Sequence, residues 1–121
     1  MNRKFFTYMQ NNSGGSFEID DDVAKVVVIE AVNAVTANDT AVNVVGIYFD
    51  GCDKGIDCEC CGDRWNPMYD DYDGTDTPTV YGQPLNEYKD MWSKYAVVWS
   101  YDDNGQLVKN KVYYGTNQIG E

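Results

Sequence analysis

Histidine is absent from this sequence of 121 residues. Without an imidazole, the chain cannot form a Ser-His-Asp or Cys-His catalytic arrangement, bind a metal through histidine, or use histidine as a pH switch. Any general acid or base would have to be a carboxylate, a tyrosine, a lysine or a cysteine. An enzyme would therefore need a carboxylate pair or a metal-bound water, and catalysis is the least favoured class of function.

A long hydrophobic segment is also missing. The longest aliphatic run is Val26–Ile29, whereas a helix that crosses a bilayer needs about 20 apolar residues. The first fifteen residues begin with basic side chains but contain no apolar stretch of the length that a secretory signal requires. We therefore expect no membrane partner and a reducing cytoplasm, in which clustered cysteines are more often thiols or metal ligands than disulfides.

Basic residues are scarce. Nine lysines and arginines stand against twenty aspartates and glutamates, which gives a net charge of −11. A field of this sign repels nucleic acid and anionic membranes, and it favours basic protein partners or cations. The alternative is that the charge only keeps the protein soluble. We predict no direct binding of nucleic acid.

Strand patterns account for most of the periodicity that is present. Aromatic and β-branched residues predict strands over residues 3–10, 23–31, 47–49, 95–101 and 106–114. The near-continuous aliphatic side chains of the second strand indicate burial on both faces. Asn104-Gly105 between the last two strands is the strongest short-range signal for a β-hairpin.

One helix is predicted over residues 35–45, with Thr36 as N-cap and Gly46 as the residue that ends it. Its apolar face would comprise Ala37, Ala41, Val44 and Val45. Residues 50–84 show little periodicity, and so long a loop needs something to fasten it. The resulting fold class is α+β, in a single domain: a small antiparallel sheet with one main helix, a long cysteine-clipped loop and a C-terminal β-hairpin.

The cysteines are the first candidate site. Cys58 and Cys61 form a C-x-x-C pair, a spacing that can direct two thiolates at one metal ion. Cys52 can supply a third sulfur, and Cys60 or a neighbouring aspartate can supply the fourth ligand. We predict a structural zinc held by these cysteines, with reduced thiols or a disulfide as the alternatives.

A second candidate site joins a glycine-rich turn to cationic residues. Small polar residues and glycines can expose backbone N–H groups, and an arginine beside an indole can stack on a ligand and fork onto a phosphate or carboxylate. The predicted ligand-binding residues are Arg3, Lys4, Asn11, Asn12, Ser13, Gly14, Gly15, Arg64 and Trp65. The alternative is a simple turn after the first strand, together with a local salt bridge of Arg64 and a core anchor at Trp65.

The acidic segment 70–76 is a third stretch of interest. Its aspartates before Gly74 resemble a calcium loop, but position 69 is a tyrosine and the full spacing is absent. A solvated acidic turn is therefore the favoured interpretation.

Two long motifs carry a resemblance to a known family. FFTYMQNNSGGSF near the N-terminus and GIYFDGCDKGIDCECCGDRW in the centre are similar to a family of small, mostly uncharacterised proteins of tailed bacteriophages. The likeness covers residues 4–81. It implies expression in the cytoplasm of an infected bacterial host, which agrees with reduced cysteines. It implies no particular activity.

Two functions follow as hypotheses. The first is a non-catalytic phage accessory protein that counters host defence by sequestering a nucleotide signal, a role taken by analogy with other phage proteins of this size. The second is an acidic protein-interaction module, of decoy or DNA-mimic type, stabilised by a structural zinc. Because a small domain with an exposed edge strand often pairs with another copy, a homo-oligomer is also expected.

Overall fold

The computed structural model describes residues 2–11, 17–59, 61–90 and 93–115. Six strands and one helix make up the regular structure of these described residues. In chain order these elements are β1 (Lys4–Met9), β2 (Val26–Ala31), α1 (Ala34–Thr40, continued in π-helical geometry over Ala41–Val45), β3 (Thr79–Val80), β4 (Gln83–Pro84), β5 (Tyr95–Tyr101) and β6 (Leu107–Tyr113). In the described part of the chain, no helix is long and apolar enough to cross a membrane.

The main sheet has the order β1-β2-β5-β6, and the α+β prediction is confirmed. β1 pairs with β2 and β5 pairs with β6 in antiparallel fashion, but β2 and β5 are parallel, with Val27 opposite Val97. The sheet is therefore mixed and not antiparallel throughout. The cause is the long connection over residues 32–94, which returns to the starting end of the sheet, as a parallel pair requires.

Both faces of the central strands are covered, as the aliphatic pattern of β2 predicted. On one face, the small residues of α1 pack over aromatic and aliphatic side chains that include Phe6, Tyr8 and Ile29. On the other face, the segment around Val80 and Leu85 forms a second cluster. The sheet therefore carries a separate hydrophobic cluster on each of its faces.

The helix begins earlier than the sequence suggested. Asn33 and not Thr36 is the N-cap, and its Oδ1 accepts a hydrogen bond of 2.8 Å from the backbone N–H of Thr36. Gly46 ends the helix with φ +95°, as predicted. Val44 is 52% exposed, however, because the π-helical segment adds residues to its turn and changes which side chains meet the sheet. The buried helix residues are Ala34, Ala37, Ala41 and Val45.

The C-terminal hairpin forms as expected, with Tyr95 opposite Tyr113 and Tyr101 opposite Leu107. Gly105 takes φ +79° in the turn, and the Asp102 carboxylate accepts hydrogen bonds from the backbone N–H groups of Asn104 and Gln106. Residues 47–49, in contrast, form no strand. Tyr48 and Phe49 instead pack their rings against the helix side of the core.

Candidate functional site

The cysteine loop (residues 50–65) is organised around a carboxylate. The Asp57 side chain has no solvent exposure. Its Oδ2 accepts a hydrogen bond of 2.7 Å from the backbone N–H of Arg64, and its Oδ1 lies 3.4 Å from Nε of the same residue. Gly51 makes room for this carboxylate, because a Cβ at that position would lie 1.9 Å from Asp57 Oδ2. A buried ion pair thus closes the loop on itself.

Arg64 extends the same network to the N-terminal half of the chain. Its side chain is 8% exposed, Nη1 donates to Gln10 Oε1 at 2.8 Å, and Nε lies 3.8 Å from Glu18 Oε2. The Tyr48 hydroxyl donates to Glu18 at 2.8 Å and to Asp57 at 3.3 Å. Burial, followed by the hydrogen bond to Glu18, raises the pKa of the Tyr48 hydroxyl. The hydroxyl therefore stays protonated, and its single proton lies between the Glu18 and Asp57 carboxylates, closer to Glu18.

These contacts bear on the predicted roles of Arg64 and Trp65. Trp65 is 1% exposed and packs in the core with the helix-side cluster. The arginine and the indole are therefore internal, in the arrangement that the alternative interpretation described: an internal salt bridge and a core anchor. This geometry gives no support to a role of the pair as a surface for a ligand.

The other cationic candidates are held elsewhere. The Arg3 guanidinium lies 3.9 Å from the centre of the Tyr101 ring, and Lys4 forms an ion pair with Asp76. Asn11 donates from Nδ2 to the carbonyl of Cys61 at 2.7 Å, which ties the end of β1 to the cysteine loop. Asn12, Ser13, Gly14 and Gly15 lie outside the described residues. The Asn11 N–H also donates to the carbonyl of Arg64 at 2.8 Å, so the structure brings Asn11 beside Arg64 and Trp65 but holds Arg3 and Lys4 elsewhere.

Three of the four predicted zinc ligands are described, and Cys60 is not. The Cys52 Sγ lies 3.5 Å from the carbonyl oxygen of Cys58, and its backbone N–H donates to Asp63 at 2.9 Å. Among the described residues, no group of three or more cysteines or carboxylates is arranged to hold a metal. Burial and the neighbouring Asp63 carboxylate raise the pKa of the Cys52 thiol to about 11.

Zinc binding by the cysteines stays a prediction. Native mass spectrometry of the purified protein tests it, because a bound ion adds its mass to that of the intact chain. A chelator should then lower the thermal unfolding temperature, since a structural zinc contributes its binding free energy to folding. If zinc is bound, changing Cys52, Cys58 and Cys61 together to serine should have the same effect as the chelator.

The tyrosine loop (residues 68–82) exposes its aromatic side chains, whereas the cysteine loop buries Trp65. Tyr69 is 83% exposed, Tyr81 82% and Tyr72 44%. A groove of about 380 Å³ runs between this loop and the edge of β1. It is lined by Thr7, Met9, Met68, Tyr72, Thr75, Thr79, Tyr81 and Gly82. Large side chains left in solvent around a concave surface mark an interaction site more often than a core that failed to form.

This loop is firmly attached although its three tyrosine side chains are exposed. Phe5 and Thr75 exchange two backbone hydrogen bonds, of 2.8 and 2.9 Å, and Thr7 Oγ1 donates to the carbonyl of Thr79 at 2.7 Å. At its other end, the Asn38 side chain bonds both the N–H and the carbonyl of Met68. The groove is therefore preformed, with one wall built on a strand.

Tyr81 carries the one positive φ found outside glycine in the described residues, at +52°. It occupies the two-residue turn between β3 and β4 with Gly82, whose φ is +79°. Both central residues of a type I′ turn need positive φ, and asparagine or glycine is the usual choice at the first position. A bulky residue held there costs about 1–2 kcal/mol, which suggests that the exposed ring has a use.

The charge of the tyrosine loop is negative. Asp70, Asp71, Asp73 and Asp76 are all exposed, and the one cation within the tyrosine loop and β1 is Lys4, which is paired with Asp76. A second groove of about 370 Å³ on the other side of Tyr72 is lined by Asp70, Asp73 and Lys4 among others. Sequence reasoning found these carboxylates but missed the tyrosines. The exposure of these tyrosines could have been predicted from their position. They lie in an aspartate-rich segment without helix or strand periodicity, which has no apolar face to bury them.

The chain belongs to the family described as a domain of unknown function (DUF7296), whose model matches residues 3–118. No curated protein matches the sequence. No solved structure matches it either.

Proposed function

We propose that this chain is a non-catalytic protein-binding module that takes a basic segment of another protein at the tyrosine loop. The observation that carries the proposal is the groove itself, with exposed Tyr69, Tyr72 and Tyr81 beside four exposed aspartates. In a chain of net charge −11, this surface complements arginine and lysine. The proposal is a specific form of the acidic interaction module inferred from the sequence.

The chemistry of the surface suits such a segment. Tyrosine rings offer a large contact area at a low cost in conformational entropy, and their faces attract a guanidinium or ammonium group. The aspartates beside them can accept charge-assisted hydrogen bonds from the same cations. Met9 and Met68 line the groove, and their flexible thioethers adapt to apolar parts of a partner.

Sequestration of a nucleotide has less support. Of the cations predicted to meet a phosphate, Arg64 is internal, Lys4 is paired with Asp76 and Arg3 lies over Tyr101. Carboxylates line the groove beside Lys4, and they would repel a phosphate group. This hypothesis stays a prediction, and calorimetry against a panel of cyclic nucleotides tests it, because heat with any member would favour it over the protein-binding proposal.

The setting of the proposal comes from the resemblance to tailed-bacteriophage proteins. On that basis, the partner is a basic host protein in the cytoplasm of the infected bacterium, and the chain acts there as a decoy. A protein that mimics DNA should carry its carboxylates in rows along helices or strands, in place of the phosphates. The exposed aspartates of the tyrosine loop lie in an irregular segment instead. A binder of a short basic segment therefore suits the surface better than a mimic of duplex DNA.

The experiment uses a nine-residue peptide of alternating glycine and arginine as the probe, with its glutamate counterpart as the charge control. Calorimetry should show binding of the arginine peptide that weakens as salt is raised. Changing Tyr69 and Tyr81 together to serine should weaken binding roughly tenfold or more, because aromatic anchors dominate such contacts.

Ile56→Ser is the matched control, since Ile56 is 55% exposed but belongs to the cysteine loop. It should bind like the unchanged protein. Equal binding of the glutamate peptide, absence of binding by the arginine peptide, or an unchanged dissociation constant in the double tyrosine variant would each contradict the proposal.

A further inference from the structure

The opposite edge of the sheet offers a different kind of surface. β1 is bordered by the tyrosine loop through Thr75, whereas β6 is the last strand in the sheet order. Lys109, Asn110 and Lys111 in the middle of β6 are exposed. Within the described residues, no strand lies beyond β6. An open edge of seven residues presents backbone groups that can accept another strand.

The hydrogen bonds at the two ends of the hairpin show which backbone groups face outwards. Asp102 N–H donates to the carbonyl of Gln106, and Tyr114 N–H donates to the carbonyl of Lys94. Because bonded and non-bonded pairs alternate in an antiparallel ladder, every second residue of β6 points its N–H and C=O away from β5. Lys109 and Lys111 are at these outward positions.

A second copy of this chain is a poor occupant of the edge. The segment VKNKV over residues 108–112 is symmetric about Asn110. Antiparallel pairing of two copies about this residue would set Lys109 opposite Lys111 of the other copy. Like charges directly opposite one another destabilise a sheet, and edge lysines are a common means of preventing self-pairing.

We propose that β6 is a docking edge for an extended segment of a partner protein that carries a carboxylate opposite Lys111. Such a segment would add a fifth strand through the outward backbone groups of Lys109 and Lys111, with side chains supplying the specificity. Opposite charges across a strand pair stabilise the pairing that like charges oppose.

The neighbouring groups decide which lysine receives the carboxylate. Lys109 is held by an ion pair with Asp22. Asp21 lines a shallow cavity of about 230 Å³ together with both lysines. The Lys111 ammonium lies 5.1 Å from the centre of the Tyr95 ring. Lys111 makes no ion pair with a described residue, so its ammonium can pair with a partner carboxylate, whereas that of Lys109 is already paired. This surface lies at the other edge of the sheet from the tyrosine loop and takes the opposite charge, so it does not rest on the proposed function.

The test uses an eight-residue peptide of alternating threonine and glutamate, with threonine and lysine as its counterpart. On addition of the glutamate peptide, hydrogen exchange followed by nuclear magnetic resonance should slow at the amides of Lys109 and Lys111. The amides of Val108 and Asn110, which already face β5, should change little. The lysine peptide should produce no such pattern.

Two variants at Lys111 distinguish the contribution of its backbone N–H to binding from that of its side-chain charge. Lys111→Pro removes an outward N–H without removing a bond to β5, so the fold should persist while binding falls roughly tenfold. Lys111→Gln keeps the N–H and should lose only the preference for glutamate over lysine. The far-ultraviolet circular dichroism spectrum checks that the proline variant is folded.

Three results would overturn the proposal. One is equal protection of the two amides by both peptides, which would show that the charge is irrelevant. Another is unchanged affinity in a folded Lys111→Pro variant. The third is protection of the same amides without peptide as protein concentration rises, which would assign the edge to a second copy of this chain.

Discussion

The cysteine loop and the tyrosine loop belong to the same long connection between β2 and β5, yet they use their side chains in opposite ways. The cysteine loop turns one carboxylate, one guanidinium and one indole inwards, those of Asp57, Arg64 and Trp65. The tyrosine loop is attached through its backbone at Thr75 and Thr79 and through the buried side chain of Val80, and it leaves its tyrosine rings exposed. A segment rich in cysteine and charged residues can thus have a structural role. A segment that reads as a solvated acidic turn can instead carry the proposed binding surface.

The largest effect is expected from a change that disrupts the packing inside the cysteine loop, because this tests whether its buried groups have a structural role. Gly51→Ala would place a methyl group 1.9 Å from the Asp57 carboxylate and 2.8 Å from the Tyr48 ring. The buried ion pair with Arg64 would have to move, so we expect a loss of about 3 kcal/mol in the free energy of unfolding. Urea denaturation measures it.

Gly55→Ala is the control within the same loop. Gly55 has φ +74° but nothing within 4 Å of an added Cβ, so its cost should be limited to the left-handed backbone, about 1 kcal/mol. Equal losses in the two variants would show that the Asp57 contact does not determine the stability of the loop.

Gly74 provides the corresponding test in the tyrosine loop. Its φ is +76°, and an added Cβ would lie 2.9 Å from both the Lys4 side chain and the carbonyl oxygen of Phe5. Gly74→Ala should therefore cost about 2 kcal/mol and widen the groove. Gly82→Ala, with φ +79° and open space around it, should cost only about 1 kcal/mol in the same urea experiment. A smaller loss for Gly74→Ala than for Gly82→Ala would refute this account of the attachment.

Tyr81 should separate stability from binding. Tyr81→Asn puts the preferred residue at a turn position with positive φ and removes a ring that is 82% exposed. We expect the free energy of unfolding to rise by about 1 kcal/mol, while affinity for the arginine peptide falls. Thermal unfolding and calorimetry on the same sample check both parts. A variant that gains stability and keeps full affinity would remove Tyr81 from the proposed surface.

The smallest expected effect concerns the ion pair at the base of the tyrosine loop. The hydrogen bond and charge of Lys4 hold the pKa of the Asp76 carboxyl below its ordinary value. Because the folded-state pKa is the lower one, the pair contributes stability above the ordinary pKa of aspartate and loses it as pH falls through the folded value. Both groups are exposed, so the change should be slight.

Asp76→Asn should flatten the dependence of the unfolding midpoint on pH between about pH 2 and pH 5. Asp71→Asn, a neighbouring exposed aspartate with no ion pair to a described residue, is the control and should leave the slope unchanged. A slope that responds equally to both changes would mean that total charge, and not this contact, is being measured.

Elements with a local physical cause were predictable from the sequence. The aliphatic run of β2, the Asn104-Gly105 turn and the left-handed Gly46 each depend on residues close by in the chain. The cap at Asn33 was missed because the helix starts before its apolar repeat becomes evident.

Long-range contacts were not predictable in the same way. The parallel pairing of Val27 with Val97 and the backbone bridge between Phe5 and Thr75 join residues that share no local pattern. The candidate site depends on such contacts, since the groove exists only where the tyrosine loop meets β1. For Arg64, the sequence allowed either a ligand contact or a local salt bridge. The structure shows the salt bridge, because the buried Asp57 carboxylate lies against Arg64.

The parallel contact between β2 and β5 also has a kinetic consequence. Its two strands are separated by residues 32–94, and closing so long a connection makes folding slow relative to a domain held together by local contacts. Until β5 arrives, the aliphatic edge of β2 over Val26–Ile29 has no partner on that side, and such a segment is prone to aggregation. Early closure of the cysteine loop would shorten the effective span of this connection, so its carboxylate and arginine should protect the newly made chain as well as the finished one.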